Sequence, residues 1–496
     1  MPALGIRLGL LAGVVTACAV VAGMESAWAP EPGAQRELSR LRVSPESRFL
    51  VREDGAPFFW LGDTAWALFE KAVREPAPDQ PAVDHYFATR AAQGFTVIQA
   101  ALLREAWRHV GGHPALVPDR NAPRLRPGPA DDYWDTVIYI IDRAAVRGLY
   151  LALLPAWMVN VPADHPLVQD PAVAYGYGHF LGSRFGDRRH LVWVLGGDPH
   201  KNGTDVDNPA RLAMTRALAE GIADGTNGMN RFDGTADWSS TLMSYHPKGG
   251  NHSSSERLHG EPWLDFNMIQ TTTTRDFANY RTVERDYART PAKPTLDAEV
   301  AYEASHSLGG ATKEPPLPRL SPWDVRRAAY WNVFAGGFGH TYGHRSLIRW
   351  NRTGEKLLFG ADVPWHEALD APGALQMAHL KRLMLSRPFL TRIPDQALLV
   401  GDPGNRRQHV RATRDADGSF GFVYLPSGGS VAVDLHRLSG TSVRAWWFDP
   451  RDGSARAGGE VPRGGTQTFR SPSSGDEQDW VLVLDDSAHG FGPPGR

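Results

Sequence analysis

His190-Leu191-Val192-Trp193-Val194-Leu195-Gly196-Gly197-Asp198-Pro199-His200 is an apolar, strand-like run that stops at two glycines and delivers a carboxylate where the backbone can turn sharply. About a hundred residues later Lys293-Pro294-Thr295-Leu296-Asp297-Ala298-Glu299 does the same, a short extended run ending in an acid. Working outward, similar runs recur at residues 58–61, 95–102, 149–155, 191–195, 241–246, 267–271 and 295–298, with a weaker glycine-rich one at 338–342. Amphipathic stretches lie between them, among them 81–93, 133–147, 209–224 and 324–334. Eight strands alternating with helices predict a parallel sheet, and eight such units over about 330 residues predict a closed (β/α)8 TIM barrel. An open doubly wound sheet is the main alternative, but no Gly-x-Gly-x-x-Gly turn follows the first strand to hold a dinucleotide. Ahead of the first strand, Asp54-Gly55 marks a hairpin turn.

Past Arg387-Pro388 the helical period gives way to short alternating runs at 397–400, 409–413, 419–425, 430–434, 443–448 and 479–484, with turns at Asp417-Gly418 and Asp452-Gly453. This spacing predicts a C-terminal antiparallel β-sandwich. The expected organisation is a signal peptide at 1–29, a linker at 30–43, the barrel at 44–387, the sandwich at 388–486 and a disordered Gly/Pro tail at 487–496. The signal reading rests on Arg7, the apolar run that follows it and Ala27-Trp28-Ala29 as a small-x-small cleavage site, which implies a secreted or periplasmic chain. The one cysteine, Cys18, lies in this segment, so the mature chain has no disulfide. Val15-Thr16-Ala17-Cys18 resembles a lipoprotein box, leaving lipidation or a retained anchor as alternatives. No later stretch has the length of a membrane span.

With 496 residues, 42% hydrophobic, 16 Trp and 20 Phe, the chain can bury a large core and still spare aromatic faces for stacking on sugars. A formal charge of -2 speaks against a nucleic-acid partner.

A barrel carries its site at the C-terminal rim, so the polar residue after each run is the one to inspect. That rule selects Asp63, Trp66, Gln99, Trp157, Asp198, His200, Tyr245, His246, Gln270, Glu299, His340, Tyr342 and His344. Acids cleave, amides and imidazoles bond hydroxyls, and indoles stack, which together make a carbohydrate site. Asp198 after the fourth strand and Glu299 after the seventh are the candidate catalytic pair, with the others as substrate contacts. Asp198 could instead cap a helix, and Glu299 could be paired with an arginine. Asp297 and Glu303 are rivals for the role of Glu299; strict alternation would put Asp297 on the same face as Glu299, but deeper. The three late histidines invite a metal reading, yet Gly62-Asp63-Thr64 stands where a His-x-His pair would be needed, so neither metal nor other cofactor is expected.

Pro57-Phe58-Phe59-Trp60-Leu61-Gly62-Asp63-Thr64-Ala65-Trp66, Gly94-Phe95-Thr96-Val97-Ile98-Gln99, Val192 to Asp198 and Pro294 to Glu299 together resemble the apiosidase-like glycoside hydrolases. The resemblance covers residues 44–387 and implies a secreted barrel enzyme, an activity that releases apiose from pectic side chains, and catalysis by Asp198 and Glu299. Phe422-Val423-Tyr424-Leu425-Pro426 and Ala445-Trp446-Trp447-Phe448-Asp449-Pro450 look like the β-sandwich, labelled a collagen-binding domain, that often follows this barrel. Long loops at 109–129 and 304–318 would overhang the basin and change the substrate. The expected partner is therefore an oligo- or polysaccharide. A carbohydrate- or matrix-binding surface protein that keeps the barrel without hydrolysis is the alternative. Neither oligomeric state nor linkage follows from the sequence.

Overall fold

Each of the eight expected runs is a strand in the computed structural model, which describes residues 38–78, 81–104, 133–199, 205–272, 274–307 and 318–496, plus a short pairing of Leu116–Val117 with Arg124–Leu125. They are β1 (Trp60–Thr64), β2 (Val97–Leu103), β3 (Tyr150–Ala156), β4 (Leu191–Gly196), β5 (Met243–His246), β6 (Asn267–Gln270), β7 (Thr295–Glu299) and β8 (Gly339–Tyr342). Parallel pairing runs β8-β1-β2-β3-β4-β5, and β6 pairs in parallel with β7. At one seam Asp265 N–H donates to Met243 O (2.9 Å) and Ser244 Oγ to Phe266 O (2.7 Å). At the other, Phe338 N–H donates to Thr295 O (3.1 Å), so the sheet curls round on itself. Both faces are covered, and β2, β3 and β4 are accordingly buried at every position.

Seven helices of eight residues or more surround the sheet among the described residues: α1 (Val83–Ala92), α2 (Tyr133–Val146), α3 (Pro171–Phe185), α4 (Pro209–Thr226), α5 (Tyr280–Tyr287), α6 (Pro322–Phe334) and α7 (Pro372–Leu385). Cap-Pro pairs start three of them: Asp170-Pro171, Asn208-Pro209 and Ser321-Pro322, where the cap oxygen takes an orphan N–H and proline has none to lose. The hairpin turn also forms, with Gly55 at φ +83° between Leu50–Arg52 and Pro57–Phe58.

The pleat of β1 sets what faces the lumen. On the lumen face Trp60 Nε1 donates to Thr341 Oγ1 of the adjacent strand β8 (3.0 Å), and any Cβ on Gly62 would lie 2.7 Å from that indole nitrogen. Asp63, one residue on, turns outward to α1. A bulge alters the phase on β7: Ile269 pairs with Asp297 but Gln270 with Glu299, so Ala298 is the extra residue. Asp297 therefore faces the helix layer, where Thr271 Oγ1 (3.0 Å) and Asn279 Nδ2 (3.1 Å) donate to it, rather than lying below Glu299 as alternation required.

Two antiparallel sheets follow the barrel. Six strands run in the order Arg392–Pro394, Arg411–Asp415, Phe420–Leu425, Trp480–Asp486, Ser442–Phe448, Ala455–Pro462, and three in the order Leu399–Val400, Gly428–Asp434, Thr466–Ser474. Residues 38–496 form one compact unit. Every residue of α6 from Trp323 onward is buried, its far side covered by the six-stranded sheet. Arg326 grips Asp479 with two bonds (3.0 and 2.7 Å), Tyr330 stacks on Tyr424 at 4.7 Å, and Trp323 and Trp331 donate to Pro426 O and His409 O. The tail at 487–496, expected to be disordered, lies against this body instead. Arg387 packs over Phe491 and donates to Gly492 O (2.9 Å), and Pro494 and Gly495 are buried.

Candidate active site

Gly196, Gly197 and Asp198 have φ of +87°, +108° and +52°, three left-handed residues in a row. Two glycines adopt this freely; the aspartate is held there by its surroundings, as Asp198 Oδ1 accepts Gly249 N–H (2.9 Å). Asn208, not Asp198, caps the helix after β4. A carbon added to Gly249 would meet Gln270 Nε2 at 3.3 Å and Asp198 Oδ1 at 3.4 Å, so these two side chains converge over that glycine. Gln270 is in register with Glu299 on the neighbouring strand.

Glu299, re-aimed by the bulge, lies 3.0 Å from His246 Nε2, although the two atoms are not aligned as a hydrogen bond. His246 Nδ1 faces Pro247 O at 3.1 Å, and since a carbonyl only accepts, that nitrogen carries a proton. Trp66 Nε1 donates to the Tyr302 hydroxyl (3.2 Å), which lies beside Glu299. Burial first, then the nearby Glu299 charge, pushes the Tyr302 phenol well above its usual range, so it remains a donor. Burial lowers the pKa of the Arg345 guanidinium, an effect opposed by Tyr302 and Glu299. Trp66 and Trp157 form an aromatic wall with centroids 4.5 Å apart, and His246 lies against both rings at 5.2 and 5.5 Å. Glu299 Oε2, His246 Nε2 and Gln270 Oε1, all buried atoms, have no hydrogen-bond partner among the described residues.

The structure thus gathers Asp198, Glu299, Trp66, Trp157, His246 and Gln270 at one rim. Gln99 faces the same lumen from below; it is wholly buried, and its Nε2 reaches across to Ala298 O (3.3 Å). Four expected contacts face the other way. Asp63 is fully buried under α1, taking Tyr86 OH and Arg90 Nε at 2.7 Å each. Tyr342, in register with Asp63, donates to Glu303 Oε2 (2.5 Å), whose Oε1 takes Gly373 N–H (3.1 Å). His340 lies beside Asn332 of α6, and burial lowers its pKa to about 3. Tyr245 points away from His246 toward Asp205 and Asp207, and burial raises its phenol. The physical reason is shared: side chains alternate faces with period two, and the first polar residue after a run can fall on either side. His200 and much of the two long loops lie outside the described residues. His246 and His340 are on opposite faces, so they share no ion.

Tyr302 and Arg345 are not among the residues that the strand-end rule selects. Both follow a strand end by three residues, in Glu299-Val300-Ala301-Tyr302 and Tyr342-Gly343-His344-Arg345. A scan extended past the first polar residue would have caught them.

Comparison with known proteins gives the site a lineage. The family model "Apiosidase-like, catalytic domain" matches residues 44–391, and "Putative collagen-binding domain of a collagenase" matches 393–485. No curated protein matches the chain. Among solved structures, one described as a glycoside hydrolase is 32% identical, with 91% of this chain and 97% of the other covered and a TM-score of 0.79. A glycoside hydrolase family 5 protein from Bacteroides vulgatus shows the same identity and TM-score over 91% and 94%. An α-amylase from Malbranchea cinnamomea shares the fold alone, at 10% identity and a TM-score of 0.50 over 88% and 98%. With its barrel matched nearly end to end and its strand-end carboxylates at one rim, this chain belongs to the apiosidase-like glycoside hydrolases.

Proposed function

We propose that the protein is an exported retaining glycosidase that removes sugar units from polysaccharide side chains, with Asp198 as acid/base and Glu299 as nucleophile. In the first step Asp198 gives its proton to the glycosidic oxygen as the C–O bond breaks, and a Glu299 oxygen bonds to the anomeric carbon. Water, deprotonated by Asp198, then displaces Glu299. The observation that carries this reading is the setting of Glu299: His246 lies 3.0 Å away, Tyr302 lies beside it, and it stands next to an aromatic wall and across Gln270 from a second carboxylate. The Tyr302 hydroxyl, a donor beside this carboxylate, suits an oxygen that must be oriented for attack.

An activated 2-deoxy-2-fluoro glycoside tests the assignment. Mass spectrometry should find one adduct, on the peptide containing Glu299, and proton NMR of early product should show retained anomeric configuration. An inverted product would replace the nucleophile with a second general base. Terminal apiose on pectic side chains is the first substrate to try, on the strength of family membership. Among the described residues no helix is long and apolar enough to cross a membrane. Export predicts a mature N-terminus at Pro30, which terminal sequencing checks. The sandwich, whose sheet covers α6, is read as a buttress of the β7–α6–β8 unit rather than a module for collagen; full-length protein that binds immobilised collagen would reverse this.

A further inference from the structure

The loop after β8 carries an aromatic side chain that adds nothing to the core. Leu358 and Phe359 are consecutive exposed apolar residues, and Phe359, at 52%, is the most exposed large hydrophobic among the described residues. Its φ is +58°, a region that a bulky side chain enters only where its surroundings impose it. Those surroundings are visible. Arg345 Nε donates to Phe359 O (2.5 Å), and the Arg349 guanidinium lies over the ring 4.0 Å from its centroid. At the base of the loop Trp350 stacks on Trp365 at 4.3 Å, Trp365 N–H donates to Asn351 O (2.7 Å), and Asn351 Oδ1 takes Leu358 N–H (2.6 Å). The Arg345 guanidinium lies 5.4 Å from the same centroid, so the ring is held between its backbone anchor and two cations while keeping 52% of its surface exposed.

Its place is at the rim. Arg345, whose side chain holds the Phe359 carbonyl, is itself anchored through its backbone N–H to Glu303 O (3.0 Å), one residue past Tyr302 in the loop that follows β7. Phe232 supplies an internal contrast. It too has positive φ (+46°) and is 42% exposed, but it lies in the connection from α4 to β5, at the opposite end of the barrel, and its ring packs on Tyr175 at 4.7 Å.

We infer that Phe359 is the stacking platform of a second sugar subsite, which takes the C–H face of a glycosyl unit adjoining the one cleaved. The inference rests on the hydrolase reading. A flat ring, stiffly held beside a basin of hydrogen-bonding groups, matches the apolar face of a pyranose or furanose. Phe359 and Leu358 among arginines are too small an apolar area to dock a protein.

The test compares wild type, Phe359→Ala, Phe359→Trp and Phe232→Ala on 4-nitrophenyl monoglycosides and on a panel of pectic and hemicellulosic oligosaccharides. Gel retardation by the matching polysaccharides serves as a readout independent of turnover. For Phe359→Ala, kcat/KM on oligosaccharide relative to monoglycoside should fall about 3- to 10-fold, mainly through KM. Retardation should weaken, Phe359→Trp should restore both, and Phe232→Ala should change neither. An equal loss on both substrate classes, no loss on either, or no rescue by Trp overturns the subsite. A wild-type chain inert in every arm instead sinks the hydrolase reading beneath it.

Discussion

The two faces of the barrel rim hold nearly the same chemistry. Inside, Glu299 meets His246 and Tyr302; outside, Asp63 and Glu303 meet Arg90, Tyr86 and Tyr342. Access separates them. Glu299 keeps 15% of its side-chain surface at the rim, whereas Asp63 and Arg90 are at 0%. Asp63 Oδ1 and Arg90 Nη2 lack partners, yet no ligand can reach them beneath α1. A carboxylate with a tyrosine beside it is therefore a structural device on one face and, in the function proposed above, a reactive group on the other, and residue type alone does not tell them apart.

The sharpest way to break this contrast is to remove the inner acids. Glu299→Ala should lower kcat by about 10⁴-fold or more and Asp198→Ala by about 10²- to 10⁴-fold, both with little change in melting temperature. With a good leaving group the Asp198 variant should be partly spared, as measured on aryl glycosides of graded leaving-group pKa. Turnover near wild type for either variant would merge the two faces functionally.

Asp63→Ala should do the reverse. It strands a buried guanidinium and should cost about 3–5 kcal/mol of stability, read by denaturant unfolding, while the folded fraction retains its catalysis. A normal melting curve with lost activity would move Asp63 into the site.

Asp297 gives a smaller, pH-dependent effect. Burial raises its pKa to about 7, so between about pH 4 and 7 the folded chain keeps a proton that the unfolded chain releases. Its contribution therefore makes stability fall as pH rises through that window and level off above it. Asp297→Asn should flatten this dependence by on the order of 2 kcal/mol, measured by unfolding at pH 4.5 and pH 7.5. An unchanged difference between the two pH values would show that Asp297 is ionised when folded.

The smallest effect belongs to Tyr245→Phe. The hydroxyl faces away from the basin, and kcat/KM should stay within about twofold of wild type. A larger loss would place that phenol on substrate.

Several elements were not legible in the sequence for identifiable reasons. Helices α3, α5 and α7 went unnamed: α3 is rich in glycine and buried on more than one side, and α5 is only eight residues long. Ala455–Pro462 and Thr466–Ser474 form strands despite glycine, proline and serine, because they are mostly exposed and need no apolar alternation. Tyr302 and Arg345 sit in loops, where no period links position to direction. Composition predicts a disordered tail, but Phe491 has a cation to pack against at Arg387.

The sequence by itself determined the eight runs, their order and the acids at the ends of the fourth and seventh, because apolar stretches bounded by turn residues have few other ways to bury themselves. Only the tertiary structure decided which strand-end residues face the lumen. Pleating has a period of two, so one inserted residue exchanges the faces, and the bulge at Ala298 is such an insertion: it turns Asp297 toward the helices and Glu299 toward the basin.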